Sequence, residues 1–391
     1  MEKVVFVAAK RTPIGKLGGS LSSLSAVQLG ALTIHAALSQ STVASDQVDE
    51  VFFGNVLQAG NGQNPARQAS IKAGLPLAVP ATTINDVCGS GMQAIRLGAM
   101  SIMTGQNQVV VAGGMESMSN APYLLPKARF GYRFGNGELV DSLYHDGLED
   151  AFYHYPMGKT AENMLEEHPI ARARLDRFSL RSHQLAAKAQ KNGLFTHEIV
   201  PVHITDRHGQ VTVIAEDENI RQTDMDQLGK LKPVFKADGQ VTAGNSSSLN
   251  DGAAAVVMTS ETYAHDHQLT ILGYLRKTSI VGVDPQIMGI GPLPASQKLL
   301  RQQKLSIGQI DYLELNEAFA VSSLIVIDKL GIDLAQVNPH GGAIALGHPL
   351  GASGARIIVT LLNELQQNNA HRGLASLCIG GGMGAACLIE R

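Results

Sequence analysis

Three cysteines are the first residues whose chemistry needs an explanation. Cys88, Cys378 and Cys387 form no closely spaced pair, and their odd number argues against a disulfide framework and a structural zinc site. Each is therefore a separate thiol. Cys387 lies in the apolar run at residues 385–389, which predicts a core position.

Cys88 has the sequence surroundings of a nucleophile. It follows an extended run at residues 81–85 and precedes a helix that Gly89 and Gly91 open. Backbone N–H groups and the positive helix end there would lower the pKa of a thiol and favour the thiolate. The glycines leave room for a substrate. The alternative is a buried structural cysteine, and position alone does not separate the two.

Two histidines compete for the role of a base. His348 stands in a glycine-rich turn just before a predicted helix, where it could take a proton from a thiol. His340 precedes it by eight residues and has a similar setting. Spacing does not decide between them, and a structural role is the alternative for each.

Cys378 and Asn316 stand at the ends of apolar strands. The glycines at residues 380–382 follow Cys378, and exposed N–H groups of such a run can form an oxyanion hole. The alternative is a buried strand cysteine. Asn316 could hold a water or donate to an oxyanion, or it could cap the next helix.

The elements that must position these residues alternate between strand and helix. Apolar runs at residues 109–112 and 374–379 each end in glycines, a pattern typical of strands buried on both faces. A nearly apolar helix is predicted from residue 89 to residue 104, with Gly105 closing it. The alternation predicts a layered α/β fold.

An internal repeat divides the chain. Residues 48–55 resemble residues 310–316, Cys88 follows the first segment by 33 residues, and His348 follows the second by 32. A helix and then a strand ending in glycines come next in both halves, so duplication is indicated. We predict an N-terminal half at 1–268 and a C-terminal half at 269–391.

A different kind of segment interrupts the first half at about residues 121–244. It holds most of the histidines and many basic residues. One helix is predicted inside it, from Asp176 as N-cap to Asn192, with Gly193 after it. Segments inserted on a rigid scaffold are common places for binding.

Composition excludes several classes of protein. The 391 residues carry a net charge of −3, with 44% hydrophobic and 17% charged residues, a globular balance that excludes a disordered chain. The small negative net charge also argues against a protein that binds nucleic acid or anionic membranes in general. No stretch approaches the ~18 apolar residues of a membrane helix. Residues 1–7 predict an opening strand rather than a signal peptide, so we expect a cytoplasmic protein.

Taken together, the motifs resemble those of the thiolase family from residue 4 to the last strand. They occur in family order at residues 11–15, 87–92, 113–119, 157–163, 242–247, 250–254, 282–285, 288–292, 316–319, 347–349 and 378–384. The resemblance implies two similar βαβαβαββ halves packed face to face as α/β/α/β/α layers, with a loop domain inserted in the first half.

The resemblance also implies roles that spacing leaves open. Cys88 would carry the acyl group as a thioester, and His348 would take its proton. Cys378 would exchange the α-proton of the second acyl-CoA. Asn316 would hold a water that forms one oxyanion hole with His348, and the N–H groups of Cys88 and Gly380 would form the other. Two holes fit a condensation that develops negative charge at two oxygens.

Within the family, biosynthetic acetoacetyl-CoA thiolases resemble the chain best. This implies an acetyl-CoA C-acetyltransferase that reversibly joins two acetyl-CoA into acetoacetyl-CoA and CoA, in lipid metabolism such as the mevalonate pathway. No metal or redox cofactor is implied beyond the CoA thioesters. The resemblance places these residues against acyl group and CoA: Met157, Met288, Ala318 and Phe319 at the acyl pocket, Ala243 and Ser247 along the pantetheine, and Arg221 at the phosphates.

Two departures from the family pattern bear on this interpretation. Pro156 stands where biosynthetic enzymes often have histidine, and His340 replaces the second asparagine of an Asn-x-Asn-Gly-Gly pattern. The nearest rival is a degradative 3-ketoacyl-CoA thiolase with a roomier pocket. A non-catalytic acyl-CoA-binding relative is the alternative from another class. Cys378 argues against the related ketoacyl synthases.

The resemblance further implies an oligomer. Family members are dimers or tetramers, and we expect a homotetramer here. The aromatic segment at residues 130–134 is a candidate for that contact, and a substrate lid is the alternative.

Overall fold

The computed structural model describes residues 2–391. The strands in chain order are β1 (Val4–Arg11), β2 (Gly15–Lys16), β3 (Glu50–Gly54), β4 (Ala81–Ile84), β5 (Val109–Ser117), β6 (Tyr123–Leu124), β7 (Val140–Asp141), β8 (Val202–Thr205), β9 (Val211–Ile214), β10 (Asn250–Ser260), β11 (Gly273–Gly282), β12 (Tyr312–Leu315), β13 (Arg372–Ile379) and β14 (Met383–Glu390).

The α-helices lie between these strands, and short 3₁₀ turns complete the connections. The helices are α1 (Ala26–Ser41), α2 (Pro65–Lys72), α3 (Ser90–Met103), α4 (Ser142–Gly147), α5 (Met157–Glu167), α6 (Arg172–Lys191), α7 (Met225–Gly229), α8 (Glu261–Asp266), α9 (Pro292–Gln303), α10 (Ala320–Leu330), α11 (Ala343–Leu346) and α12 (Leu350–Gln367).

The main sheet shows the duplication. Its order is β12-β13-β14-β11-β1-β10-β5-β3-β4, with β2 beside β10, and the short β1–β11 pairing joins the two halves. In each half the repeated strand, β3 or β12, pairs in parallel with its neighbours. The counterpart of β4 in the second half is reduced to a single parallel bridge between Leu313 and Val337.

The helices complete five layers. α3 and α12 pack against each other. α3 contacts strands of the first half and α12 contacts strands of both halves, so the pair forms the central layer. α1 and α2 cover the outer face of the first half, and α9 and α10 cover that of the second. Three hydrophobic clusters fill the spaces between layers, and Cys387 is fully buried in the central one. The predicted α/β/α/β/α fold is confirmed.

Two element predictions need correction. β5 does not end before Gly113 and Gly114 but runs through them to Ser117, since both glycines pair with β10 in register. They are needed for close packing and not for a turn, because a side chain at either would overlap the backbone of β10 or α12. α6 begins at Arg172, earlier than predicted, since Asp176 does not cap it. Its carboxylate instead binds Arg172 at 2.8 Å and faces Asn245.

The inserted segment lies between β5 and β10 and carries α4 to α7 with two small hairpin sheets. Phe130 and Phe134 in it are almost fully exposed. The domain boundaries at residues 121, 244 and 268 remain predictions. Within residues 2–391, no helix is both long and apolar enough to cross a membrane.

A charged cluster lies buried between β12 and α12. The Arg356 guanidinium is 3.0 Å from Glu314, and His340 Nδ1 is 3.4 Å from Glu364. Glu314 and Glu364 are both fully buried, and neither oxygen of Glu364 has a hydrogen-bond donor in the protein, so a proton held between the two neighbouring carboxyls would satisfy both. Burial raises the pKa of both carboxyls, and each is raised further by the negative charge of neighbouring glutamates.

This cluster predicts a pH-dependent stability. Free glutamate in the unfolded chain titrates near pH ~4.3, so above that pH the folded state holds more protons and loses stability as the pH rises. In Glu364→Gln, the amide would donate permanently to Glu314. We expect the free energy of unfolding of the wild type to fall by about 1–3 kcal/mol relative to this variant between about pH 5 and pH 8. Denaturant titrations measure it, and parallel curves would contradict a shared proton.

Candidate active site

A strained turn holds Cys88 at the start of α3. Val87, just before it, has φ of 45°, a left-handed conformation that is costly for a β-branched residue. Ser90 stabilises the turn, because its Oγ accepts from the Asp86 N–H at 2.8 Å and donates to the Val87 carbonyl at 2.6 Å. The Asn85 side chain accepts from the Val87 N–H. These bonds fix the direction of the Cys88 side chain.

Glycines let the helix that follows Cys88 cross the helix that follows His348. A Cβ on Gly91 of α3 would lie 2.7 Å from the Ala355 nitrogen of α12. A Cβ on Gly354 of α12 would lie 2.6 Å from the Met92 nitrogen. The backbones therefore touch at this crossing, which brings the two helix N-termini together.

The crossing predicts that Gly91→Ala is destabilising. The new methyl group contacts backbone, which cannot move aside as a side chain can, so we expect a loss of about 1–3 kcal/mol in the free energy of unfolding. Gly308→Ala is the matched control, because Gly308 is exposed and has no atom within 4 Å of the added Cβ. Chemical denaturation of both variants checks this, and equal stability would contradict close helix contact.

A cavity of about 220 Å³ opens beside these helix ends. Cys88, His348 and Gly380 line it, and so do Val87 and Leu350. The other walls are mostly apolar and come from the segment between β5 and β10, from the 3₁₀ turn after β11 and from the loop before α10. They are Met118, Tyr144, Gly147, Leu148, Pro156, Met157, Gly158, Phe235, Ser246, Ser247, Ser248, Leu249, Met288, Ala318 and Phe319.

The Cys88 thiol is protonated in the unliganded site. Burial raises its pKa to about 11, although the backbone N–H groups of Gly380 and of Cys88 itself act in the opposite direction. The sequence predicted a lowered pKa from the helix end alone, and this was wrong because the thiol is 92% buried and near Asp86 and Glu116. The same N–H groups are well placed to stabilise negative charge once it forms.

His348 is held as a neutral imidazole. Its backbone N–H donates to Asn250 at 2.8 Å, and its Nδ1 is 2.6 Å from the Ser353 hydroxyl. The Asn316 amide nitrogen is 3.5 Å from the ring. Burial lowers the pKa of His348 to about 3, and the Arg356 charge adds to this. A neutral ring can accept a proton at physiological pH.

Cys378 lies against the cavity wall rather than in its lining. It is 1% exposed and packs with Met288 and Ala318, with Met157 and Phe319 beside them. Burial raises the pKa of its thiol, and the nearby Cys88 raises it further. Both thiols are therefore neutral together in the resting site.

Two buried glutamates, Glu317 and Glu116, hold the loops around the site in place by hydrogen bonds. The sequence analysis did not identify either of them. Glu317 accepts from Ser182, Asn338 and the Ile344 N–H, so it ties the loop after Asn316 to α6 and α11. The one feature of the sequence that could have pointed to Glu317 is its position between Asn316 and Phe319.

Glu116 connects separate elements by hydrogen bonds on the other side of the site. Its carboxylate accepts from Asn55 and from the backbone N–H groups of Val56, Leu57 and Gly351, the last at 2.8 Å. It therefore connects the end of β5 to the first turn of α12. Burial raises its pKa to about 7.

The structure shows which of the two candidate histidines lies at the cavity, a choice that the sequence left open. His348 lines the cavity, whereas His340 faces Glu364 and the Phe195 ring outside it. The structure brings most of the predicted substrate residues together at the cavity, but Arg221 and Ala243 are exposed and outside its lining.

The backbone around Ser247 continues the site outward. Its N–H donates to the Ala318 carbonyl at 2.9 Å, next to an isolated bridge between Ser246 and Phe319. Among residues 2–391, no group of three or more His, Cys, Asp or Glu side chains is placed to hold a metal ion.

Fold and site together define a thiolase. The family model of the thiolase N-terminal domain matches residues 4–262, and that of the C-terminal domain matches residues 269–391. The chain therefore belongs to the thiolase family and is an acyltransferase.

Individual relatives cover the whole chain. Acetyl-CoA acetyltransferases of Cupriavidus necator and Pseudomonas aeruginosa are each 51% identical over the full length of both chains. A probable acetyl-CoA acyltransferase of Staphylococcus aureus is 48% identical over the same span. The crystal structure of the Bacillus anthracis acetyl-CoA acetyltransferase superposes with a TM-score of 0.98 at 44% identity, covering 100% of this chain and 99% of that one.

Proposed function

We propose that the protein is an acetyl-CoA C-acetyltransferase that works in the biosynthetic direction. It would join two acetyl-CoA molecules into acetoacetyl-CoA and free CoA through an acetyl thioester on Cys88, and the reaction is reversible. The observation that carries this proposal is the meeting of Cys88, His348 and Gly380 in one small cavity, with Cys378 packed against its wall.

The first half of the reaction acylates the enzyme. His348 takes the Cys88 proton as the sulfur attacks the acetyl carbonyl. The bond between the carbonyl carbon and the CoA sulfur then breaks, and Cys378 gives its proton to the departing sulfur and becomes a thiolate. The N–H groups of Cys88 and Gly380 stabilise the oxyanion, which their present approach to the sulfur supports. Because both groups start neutral, the proton moves only as the carbon–sulfur bond forms.

The second half forms the carbon–carbon bond. The Cys378 thiolate removes a proton from the methyl group of the second acetyl-CoA. The carbanion attacks the acetyl-enzyme, and Cys88 is released and takes its proton back from His348. His348 and a water on Asn316 stabilise the enolate oxygen. The Asn316 Oδ1 atom is buried and has no hydrogen-bond partner in the protein, which supports a water at this place.

A short acyl group suits the end of the cavity. Met157, Met288 and Phe319 close around Cys378, so bulky side chains fill the space beside the reacting thiols. Pro156 stands in the wall beside Met157 and fills part of the same side. The relatives named as acetyl-CoA acetyltransferases support the same substrate.

The CoA portion would run outward from this cavity. Ser247 and the apolar ring of Phe235 line the cavity and are partly exposed, and a pantetheine arm has the amide groups and length to follow them. Arg221, Ala243 and Lys230 are all exposed and lie outside the cavity lining. The charges of Arg221 and Lys230 would suit the phosphate groups of CoA.

Thiolysis of 3-ketoacyl-CoA esters of increasing length tests the proposed substrate. We expect kcat/KM at fixed CoA to be highest for acetoacetyl-CoA and to fall with each added methylene, because a longer chain must displace Met157 or Phe319. In a roomy apolar pocket each CH₂ would instead add up to ~0.8 kcal/mol of binding.

The other outcomes point to the rival functions. A preference for medium or long chains would reject the biosynthetic assignment in favour of a degradative thiolase. Absence of turnover at every length, with CoA esters still bound, would leave an acyl-CoA-binding protein.

A further inference from the structure

The hydrogen bonds around His348 have a feature that the proposed function does not use. Ser353 lies in the first turn of α12, and both it and His348 are at least 95% buried. The Ser353 Oγ is 2.6 Å from His348 Nδ1 and 2.9 Å from the Pro349 carbonyl oxygen. A hydroxyl has one proton to donate and lone pairs with which to accept.

Only one arrangement of protons makes both hydrogen bonds. The Pro349 carbonyl can only accept, so the Ser353 proton must point to it. Ser353 Oγ is then an acceptor, and His348 Nδ1 must carry the proton that it receives. If Ser353 donated to Nδ1 instead, the 2.9 Å contact with Pro349 would join two oxygen acceptors without a proton between them, and the buried Ser353 oxygen would accept from no donor.

We propose that Ser353 is a positioning residue that fixes the tautomer of His348, with the proton on Nδ1 and the lone pair on Nε2. The Asn316 amide nitrogen lies 3.5 Å from both Nδ1 and Nε2, so the assignment rests on the Ser353 contact and not on Asn316. The ring holds a single proton because burial and Arg356 keep it neutral.

The consequence for chemistry rests on the proposed function. A base that accepts the Cys88 proton at Nε2 needs a free lone pair there, and the Ser353 contact holds the ring in that state before substrate arrives. A general base contributes on the order of 10²–10⁴-fold to rate, and loss of the correct tautomer forfeits part of this.

The tautomer can be observed without any catalysis. In protein labelled with ¹⁵N-histidine, the spectrum of the wild type minus that of His348→Gln isolates the two His348 nitrogens. We expect the shift of a protonated nitrogen at Nδ1 and that of an unprotonated one at Nε2. The reverse pattern would overturn the proposal, whatever the enzyme's activity.

Ser353→Ala tests the positioning role. We expect the His348 Nδ1–H population to fall, and kcat to fall about 10-fold or more with little change in KM. Ser179→Ala is the matched control, because Ser179 is equally buried in a helix and its Oγ also donates to the carbonyl four residues earlier. The control should keep both the His348 shifts and kcat.

The outcomes separate this proposal from the proposed function. If Ser353→Ala leaves the His348 shifts and kcat as in the wild type, Ser353 has no positioning role. If the wild type shows Nδ1–H and Ser353→Ala shifts it, but no acyl-enzyme forms on Cys88, the tautomer assignment holds and the proposed mechanism fails.

Discussion

Cys88→Ala should lower kcat for acyl transfer by on the order of 10⁴-fold or more, the largest effect of any single substitution in the site. Removing the nucleophile removes the covalent route altogether, because His348 and the N–H of Gly380 then have no sulfur on which to act. The side chain is small and the cavity lies beside it, so the variant should fold. Steady-state thiolysis of acetoacetyl-CoA measures the effect.

Cys387→Ala is the control for this substitution. Cys387 is also buried, but it is not part of the cavity lining. The alanine there should cost some stability and leave kcat near the wild-type value. If Cys88→Ala kept turnover comparable with that of Cys387→Ala, a covalent intermediate on Cys88 would be wrong.

Cys378→Ala should give the second largest effect, with overall condensation slower by on the order of 10³-fold. The two half-reactions should respond differently, because Cys378 acts on the α-proton whereas Cys88 and His348 handle the acyl group. Exchange of the methyl protons of acetyl-CoA for deuterium should be lost. Labelling of Cys88 by acetyl-CoA should persist at a reduced level.

The comparison of these half-reactions identifies the role of Cys378. Mass spectrometry follows the exchange in the CoA ester and the acetyl group on the protein in one sample. Persistent deuterium exchange in Cys378→Ala would assign the α-proton to another base. Loss of both reactions together, with folding intact, would mean that Cys378 is needed to shape the Cys88 pocket.

Much of the fold was predictable because its determinants are local or repeated. Apolar runs that stop at glycines predicted β13, and the glycine-rich helix after Cys88 predicted α3 within a residue or two. The repeat predicted two similar halves, and the matching distances to Cys88 and His348 placed both at equivalent helix ends. Such ends meet when the halves pack face to face.

The remaining features depend on contacts between distant residues. The left-handed Val87 is an exception: the Asn85 and Ser90 bonds that hold it are local, but a β-branched residue rarely adopts a positive φ, so its type does not predict this turn. The start of α6 was mispredicted because Asp176 satisfies Arg172 and Asn245 instead of a helix end.

The same limit applies to the charges of the site. A lowered pKa for Cys88 followed from the helix end, but burial outweighs it, and burial is set by the whole fold. His340 and His348 were indistinguishable by spacing, and only the packing of α12 turns one toward Glu364 and the other toward the cavity.

Trapping the acyl-enzyme tests the central claim most directly. The protein is incubated with ¹³C-acetyl-CoA, quenched in acid, digested and examined by mass spectrometry, with and without a chase of free CoA. Acyl transfer through Cys88 predicts an acetyl thioester on the peptide that contains Cys88, removed by the chase and absent in Cys88→Ala. An acetyl group on Cys378 or Cys387 alone, or none while turnover continues, would contradict it.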